Sequence, residues 1–172
     1  KVLNCLMNLL STHDTFRLLS NLSSVNVDGY SKEKMEKIKI SSEEWEMVVL
    51  RLKFATLLQF TLPGVPSIYY GDEIGMQGYK DPFNRRFFEW DNINCEILSW
   101  YKKISQLRCE KEVFSNGEYK EVYAKDGVLI YKICNDLEEV MILINNSSES
   151  VSLKIDGKVR EYFSSAIIEN QY

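Results

Sequence analysis

Residues 62–91 decide the fold, and their sequence is LPGVPSIYYGDEIGMQGYKDPFNRRFFEWD. A Pro-Gly break precedes a short apolar run over residues 65–70, and a long polar loop begins at Gly71. Parallel strands that are covered on both faces have continuous apolar sequences, and glycine frees the backbone where such a strand ends. This stretch therefore predicts a buried strand that delivers a functional loop.

The chain before this loop has a strand-then-helix order. Residues 3–10 form a nearly continuous apolar run, and residues 15–22 have helical apolar spacing with Thr12 or Asp14 as the candidate N-cap. The pattern over residues 41–62 predicts a helix buried around most of its circumference. Alternating strands and helices are typical of a parallel α/β sheet.

The residues after the loop change their periodicity. Helical spacing continues over residues 94–109, and short β-rich segments separated by Asn-Gly, Asp-Gly and Asn-Asn pairs follow. The predicted strands are residues 119–124, 128–134, 140–144, 151–155 and 159–163. This pattern predicts an antiparallel β-sandwich domain over residues 111–172, after an α/β domain over residues 1–110.

Two motifs in this sequence resemble the α-amylase family, glycoside hydrolase family 13. GVPSIYYGDEIGMQGYKDPFNRRFFEWD (residues 64–91) is similar to the segment around the family's eighth barrel strand. Its DPxxRRxxxW pattern resembles the neopullulanase, cyclomaltodextrinase and maltogenic amylase branch. NLLSTHDTFR (residues 8–17) resembles the motif at the end of the seventh strand. The resemblance covers residues 3–108 and implies the last two βα units of a (β/α)8 TIM barrel.

The resemblance also implies an activity. The family's members are retaining hydrolases of α-1,4 or α-1,6 glucosidic bonds in starch-like glucans, cyclodextrins or maltooligosaccharides. No part of this chain resembles the motifs that carry the nucleophile and the general acid. Because the sequence begins at Lys1 inside a predicted strand, we expect a C-terminal fragment that is inactive alone. The alternative is a non-catalytic module that binds sugars or a protein partner.

The resemblance assigns roles to His13 and Asp14. Asp14 corresponds to the third acidic residue of the catalytic site, and His13 to a histidine that hydrogen-bonds the same sugar. An oxocarbenium-like transition state is stabilised by acceptors aimed at sugar hydroxyls, because these hydrogen bonds strengthen as positive charge develops. The alternative is that Asp14 caps a helix and His13 is a core histidine.

Other polar residues of the loop are candidate substrate-binding groups. Asp72 and Glu73 follow a strand, where they either contact substrate at the barrel rim or cap and solubilise the turn. Arg86, with Asp81 and Arg85, forms either a wall of the substrate groove or an internal ion-pair clip.

Aromatic residues and one further arginine leave similar alternatives open. Tyr79, Phe83 and Phe87 offer flat faces on which glucose rings stack, or they belong to a folded core. Arg17 either holds a carboxylate such as that of Asp14 or lies on a solvated helix face.

Composition excludes some partners. The 21 basic and 25 acidic residues give a net charge of -4, without a basic stripe for nucleic acid or a polybasic segment for membranes. No apolar run reaches the roughly 20 residues that span a bilayer. We therefore expect an α-glucan oligosaccharide as the ligand, and neither nucleic acid nor membrane as a partner.

The cysteines indicate no metal site. Cys5, Cys95, Cys109 and Cys134 are scattered, with no C-x-x-C pair and a single histidine in the chain. We expect reduced thiols in or near the core, no cofactor, and a cytoplasmic location; a disulfide is the alternative.

A severed barrel would have exposed apolar surfaces. Two parallel strands without the other barrel units would leave an unpaired edge and an uncovered inner face. Large apolar patches usually mark interfaces, so we expect a homodimer of the fragment.

Overall fold

The structure is a computed structural model that describes residues 3–152, 154 and 160–163. Short 3-10 turns occupy Leu3–Cys5, Asp72–Ile74 and Phe83–Arg85. In chain order, the strands and longer helices are β1 (Met7–Leu9), α1 (Leu18–Leu22), α2 (Lys32–Lys37), α3 (Ser42–Thr61), β2 (Val65–Ser67), α4 (Cys95–Glu110), α5 (Val113–Asn116), β3 (Glu118–Lys125), β4 (Val128–Cys134) and β5 (Glu139–Asn145).

Strands β1 and β2 form a parallel pair, with Met7 opposite Val65 and Leu9 opposite Ser67. Side chains lock this pair to the end of α3. The amide of Gln59 donates to the carbonyls of Asn8 (2.9 Å) and Ser67 (2.8 Å), one on each strand. The predicted strand-helix-strand order is therefore present, and the two strands share one orientation.

The strands differ from the prediction in length and burial. Residues 3–10 and 65–70 were expected to form buried strands, yet Leu3–Cys5 is a 3-10 turn and the strands are Met7–Leu9 and Val65–Ser67. Lys1 lies outside the described residues, so a strand at the start of the chain stays a prediction. Met7 is 61% exposed and Val65 49% exposed. Successive side chains of a strand point to opposite faces, so with Asn8 directed at α3, Met7 and Leu9 face the other way. No described residue forms a further strand on this sheet.

Helix α3 forms where its sequence pattern predicts. Ser41 is the N-cap and accepts a hydrogen bond from the Glu44 backbone N–H. The Glu44 carboxylate accepts from the Ser24 N–H (2.5 Å) instead of closing a capping box. Met47 and Leu50 are exposed, so one flank of α3 lies outside the core. The core between α1, α3 and α4 contains Leu18, Leu19, Ile40, Val48, Val49, Leu52, Phe60, Ile97, Tyr101 and Ile104.

Helix α1 begins three residues later than predicted. Its N-cap position is Arg17, which makes no side-chain cap hydrogen bond, so the expectation that Thr12 or Asp14 caps this helix is wrong. These residues belong to a tight turn instead. The Thr12 N–H donates to Thr15 Oγ1 (2.8 Å), and the Asp14 N–H donates to Thr12 Oγ1 (3.1 Å). Short hydroxyl side chains often compete with helix formation in this way.

The C-terminal strands form an antiparallel sheet in the order β3-β4-β5. Asp126 (φ 54°) and Gly127 (φ 78°) make the β3–β4 turn, in the left-handed conformation that two-residue hairpins require. The described residues of the fourth and fifth predicted strands, 151, 152, 154 and 160–163, form no strand, while residues 153, 155 and 159 lie outside the description. The second sheet of a sandwich therefore stays a prediction.

The sheet packs on the helices rather than apart from them. Tyr131 of β4 hydrogen-bonds Thr61 of α3 through its hydroxyl (2.5 Å). The division between residues 110 and 111 stays a prediction, because one apolar cluster includes residues from both sides of it. Its buried members are Leu107, Val113, Phe114, Tyr131, Ile133, Ile142 and Ile144.

The cysteines are not core residues. Cys5, Cys95 and Cys109 are exposed, and Cys134 is half-buried. The expectation of core or near-core thiols is wrong for the first three. Cys95 opens the first turn of α4, and Cys109 lies on the solvent side of its last turn, while the neighbouring Leu107 faces the core. None of the helices in the described part of the chain is long and apolar enough to cross a membrane.

Replacing Gln59 with alanine should lower the free energy of unfolding by about 2 kcal/mol, because two partly buried carbonyls lose their donor. The matched control is Gln106→Ala, since the exposed Gln106 makes only an i,i+4 hydrogen bond to Glu110 within α4. Urea unfolding of both variants measures the difference. Equal effects of the two substitutions would contradict a locking role for Gln59.

Candidate functional site

The candidate site lies where the two parallel strands end. The segment after β1, residues 12–17, is called the rim loop below; it carries His13 and Asp14 and leads into α1. The segment after β2 contains the 3-10 turn Asp72–Ile74 and the DPFNRR sequence. Because β1 and β2 are parallel, both segments leave the sheet at its C-terminal edge.

His13 and Asp14 are both open to solvent. Their side chains are 65% and 69% exposed, and His13 Nε2 lies 3.2 Å from Asp14 Oδ2. The alternative that His13 is a core histidine is therefore wrong, as is the cap role of Asp14. An exposed carboxylate beside an imidazole can accept hydrogen bonds from a ligand's hydroxyl groups.

Arg85 connects the rim loop to the segment after β2. Its Nη2 lies 3.2 Å from Asp14 Oδ1, and its Nε lies 3.0 Å from Asp81 Oδ1. The same Nε donates to the carbonyl of His13 (3.0 Å). Of the two alternatives, a groove wall and an internal ion-pair clip, Arg85 thus forms the clip, and it pairs with Asp14 as well as with Asp81.

Asn84 is a site residue that sequence reasoning missed. It is 2% exposed, and its Nδ2 donates to the carbonyls of His13 and Thr15, both at 2.8 Å. These bonds fix the middle of the rim loop from below. A single amide between Phe83 and Arg85 belongs to no periodic pattern, so only its place inside the DPFNRR motif could have indicated it.

Asp72 is buried, with 3% of its surface exposed. Its carboxylate accepts hydrogen bonds from the Ser11 hydroxyl and from the Leu18 N–H (3.4 Å). Burial raises the pKa of Asp72 to about 6, against the opposing effects of the Ser11 hydrogen bond and the Arg17 charge. These internal contacts favour the structural alternative, and its assignment to substrate binding stays a prediction.

Arg17 is fully buried, which makes the solvated-face alternative wrong. Its guanidinium donates to the carbonyl of Tyr70 and lies 4.9 Å and 4.7 Å from the ring centroids of Tyr69 and Tyr70. Its Nη1 is 3.8 Å from Asp72 Oδ1. Of its two alternatives, Arg17 therefore has the one in which it pairs with a carboxylate, and that carboxylate is Asp72 rather than Asp14.

Glu73 and Arg86 also make internal contacts. Glu73 is half-buried, and its Oε2 accepts from the Gly71 N–H (2.7 Å). Arg86 is half-buried, donates to the carbonyl of Glu36 (2.8 Å) and lies 5.4 Å above the Phe83 ring. These bonds join Arg86 to α2, and both assignments to substrate binding stay predictions.

The aromatic candidates divide into two groups. Tyr79 is 1% exposed and packs edge-on against Phe16 at 5.5 Å, and the half-buried Phe83 joins the same cluster. Phe87 is 97% exposed, and Trp90, which sequence reasoning did not single out as a ligand platform, is 76% exposed. The second pair is exposed to solvent, although the Trp90 ring packs against Phe88 with the ring centroids 4.5 Å apart.

The described residues contain no group of three or more His, Cys, Asp or Glu side chains placed to hold a metal ion. The polar side chains at the rim are hydrogen-bond acceptors and donors. Asp14 carries the charge, while His13 and Arg85 lie beside it.

Comparison with known proteins identifies the family. Residues 3–125 match the model of the α-amylase catalytic domain. The chain is 35% identical over 160 residues to an amylopullulanase of Thermoanaerobacter thermohydrosulfuricus, covering 87% of this chain and 10% of that protein. It is 37% identical to a maltogenic α-amylase of Bacillus acidopullulyticus, covering 90% of this chain and 23% of that protein.

A solved structure has the same fold over most of the chain. The α-amylase of Geobacillus thermoleovorans, crystallised with acarbose, superposes with a TM-score of 0.64 at 33% sequence identity. The matched region covers 85% of this chain and 28% of that enzyme, so the chain spans much less than the length of its relatives. With the family model matching more than half of its residues, this chain belongs to the α-amylase family, glycoside hydrolase family 13.

Proposed function

We propose that this chain is the C-terminal part of a retaining glycoside hydrolase that cleaves α-1,4 or α-1,6 glucosidic bonds. Its substrates are starch-like glucans, cyclodextrins or maltooligosaccharides, and it contributes the last two βα units of the barrel. The observation that carries the proposal is the exposed His13–Asp14 pair at the C-terminal edge of β1 and β2. Active sites of (β/α)8 barrels are built on that edge.

In this mechanism Asp14 is the charged acceptor. Arg85 holds Oδ1 and His13 lies beside Oδ2, so the carboxylate is oriented before a sugar arrives. A preoriented acceptor costs no reorganisation when the anomeric carbon develops positive charge. The hydrogen bond from a sugar hydroxyl to Asp14 therefore strengthens in the transition state, and His13 donates to the same sugar.

The remaining predicted substrate ligands act through the shape of the loops. The internal hydrogen bonds of Asp72, Glu73 and Arg86 support this role rather than direct contact with a sugar. The nucleophile and general acid come from strands that this chain does not supply. A cytoplasmic location is part of the proposal and rests on the scattered cysteine spacing.

A second candidate function is a sugar-binding module without catalysis. The exposed rings of Phe87 and Trp90 favour it, because flat apolar faces are what sugar rings stack on. This candidate predicts binding with the same affinity in Asp14 variants, whereas the catalytic proposal makes Asp14 essential for turnover.

The isolated chain should hydrolyse no α-glucan. A retaining mechanism requires a nucleophile and an acid/base about 5 Å apart, and the proposal places both outside this chain. Reducing-sugar assays with starch and β-cyclodextrin, compared with a heat-killed sample, measure the expected absence. Sugar release above that control would contradict the fragment interpretation.

In the longer protein that the proposal requires, Asp14→Asn should lower kcat roughly 100-fold or more, because the charge used by the transition state is lost. Thermal unfolding should change little, since Asp14 is exposed. The control is Asp28→Asn, whose carboxylate is 80% exposed and pairs with Lys80. Near-normal turnover, or activity lost only through unfolding, would contradict the catalytic role.

We also propose that the isolated chain dimerises through the face of β1 and β2 that points away from α3. Exposed apolar side chains concentrate around these strands: Leu6 53%, Met7 61%, Leu9 48%, Val65 49% and Ile68 40%. Unpaired strand edges and apolar patches of this kind recruit other chains.

Light scattering should therefore report a dimer, and Met7→Lys should shift the protein toward monomer by placing a charge on this face. Leu137→Lys is the control, because Leu137 is 87% exposed in the turn between β4 and β5, far along the chain from these strands. A monodisperse monomer at high concentration would refute the dimer.

A further inference from the structure

We infer that Asp72 is the positioning residue of the rim loop: its buried carboxylate ties the two ends of this loop together and thereby places His13 and Asp14. The inference rests on the proposed function insofar as the loop carries the catalytic carboxylate. With 3% of its surface exposed, Asp72 acts on the substrate through the loop rather than by direct contact.

The inference depends on which two residues donate hydrogen bonds to the Asp72 carboxylate. Ser11 immediately precedes the rim loop and Leu18 immediately follows it, and both donate to Asp72, through the Ser11 hydroxyl and the Leu18 N–H. Oδ2 accepts the first bond and Oδ1 the second. One side chain thus fixes the separation between the start and the end of a six-residue loop.

The clamp is anchored to β2. Asp72 lies in the 3-10 turn that follows this strand, and Arg17, the last residue of the rim loop, donates to the carbonyl of Tyr70. Gly71 permits this approach, since its φ is 89° and a Cβ there would lie 2.9 Å from Arg17 Nη1. The backbone N–H of Arg17 adds a 2.9 Å bond to the carbonyl of Gly78. The loop of one strand is therefore held by the loop of its neighbour.

A charge at this position is costly, which argues against a generic packing role. Burial raises the pKa of Asp72 to about 6, so the native state binds a proton more tightly than the unfolded chain, in which the pKa is near 3.8. Stability contributed by this group therefore falls as the pH rises from about 4 to about 6. The charged or titratable groups that act on it are Arg17, which favours ionisation, and Glu73, which opposes it; the Tyr101 hydroxyl interacts as well. A carboxylate kept despite this cost can accept from both loop ends and face Arg17 at once.

The test is hydrogen exchange of the complete 172-residue chain, followed by NMR at backbone amides of residues 12–17 and of α4. In Asp72→Asn, the side-chain NH2 group replaces one of the two acceptor oxygens. The backbone amides of the rim loop should therefore exchange at least tenfold faster, while the exchange rates of the α4 amides change less than twofold. Ser11→Ala, which removes one arm and leaves Asp72 in place, should give a smaller change in the same residues. Asp136→Asn, at an exposed turn, should change neither region.

A pH titration adds a readout that packing alone would not move. The Leu18 amide shift should change with a midpoint near 6 in the natural sequence, and this transition should vanish in Asp72→Asn. Equal acceleration in the rim loop and α4, or an unchanged rim loop, would overturn the inference. If Asp72→Asn fails to fold, Ser11→Ala decides by the same criterion. None of these measurements needs hydrolysis, so a failure of the proposed function would leave their outcome unaffected.

Discussion

The structure depends on side-chain amides that hold β1 and β2 in register. A two-stranded parallel pair has few backbone hydrogen bonds, and Gln59 adds one bond to each strand from the last turn of α3. Asn8 returns a bond from β1 to the carbonyl of Gln59 (3.2 Å). Because these bonds set the relative height of β1 and β2, they also determine that the rim loop and the segment after β2 meet. Without this register, Asp72 could not face Ser11 and Leu18.

The candidate site has two layers with different chemistry. The outer layer is exposed and charged, and it contains Asp14 with its neighbours His13 and Arg85. The inner layer, Asp72 and Asn84, is buried, and its side chains form hydrogen bonds with backbone groups and with the Ser11 hydroxyl. Separating these tasks leaves the outer carboxylate exposed to solvent, while buried side chains hold the backbone of its loop.

Sequence reasoning predicted the parts of this arrangement that follow local rules. The Ser41 cap, the extents of α3 and α4, and the β3–β4–β5 hairpins agree with their periodicity and turn residues. The resemblance of residues 8–17 and 64–91 identified the family. It also singled out Asp14, which the structure places on the exposed edge.

What sequence reasoning missed depends on contacts between distant segments. Asn84 and the rim loop are about 70 positions apart in the chain, with separations of 71 and 69 residues, so no local pattern connects them. The late start of α1 has the same origin, because hydroxyl bonds in the Thr12–Thr15 turn and the tertiary acceptor Asp72 replace a local cap. The exposure of Met7 and Val65 could not be inferred from their apolar character. Apolar side chains favour burial, but the sequence of a segment does not show whether another segment packs over it.

The hydroxyl contact between Tyr131 and Thr61 has a consequence for how the molecule comes apart. Phe54, Leu57 and Leu58 of α3 pack on the cluster that β4 and β5 complete, so the same helix is shared by the parallel strand pair and the antiparallel sheet. Loss of the β3-β4-β5 sheet would expose α3, the helix that sets the register of β1 and β2. The two regions are therefore expected to melt in one cooperative transition, and a deletion that removes only the last strands would release the rim loop from a distance.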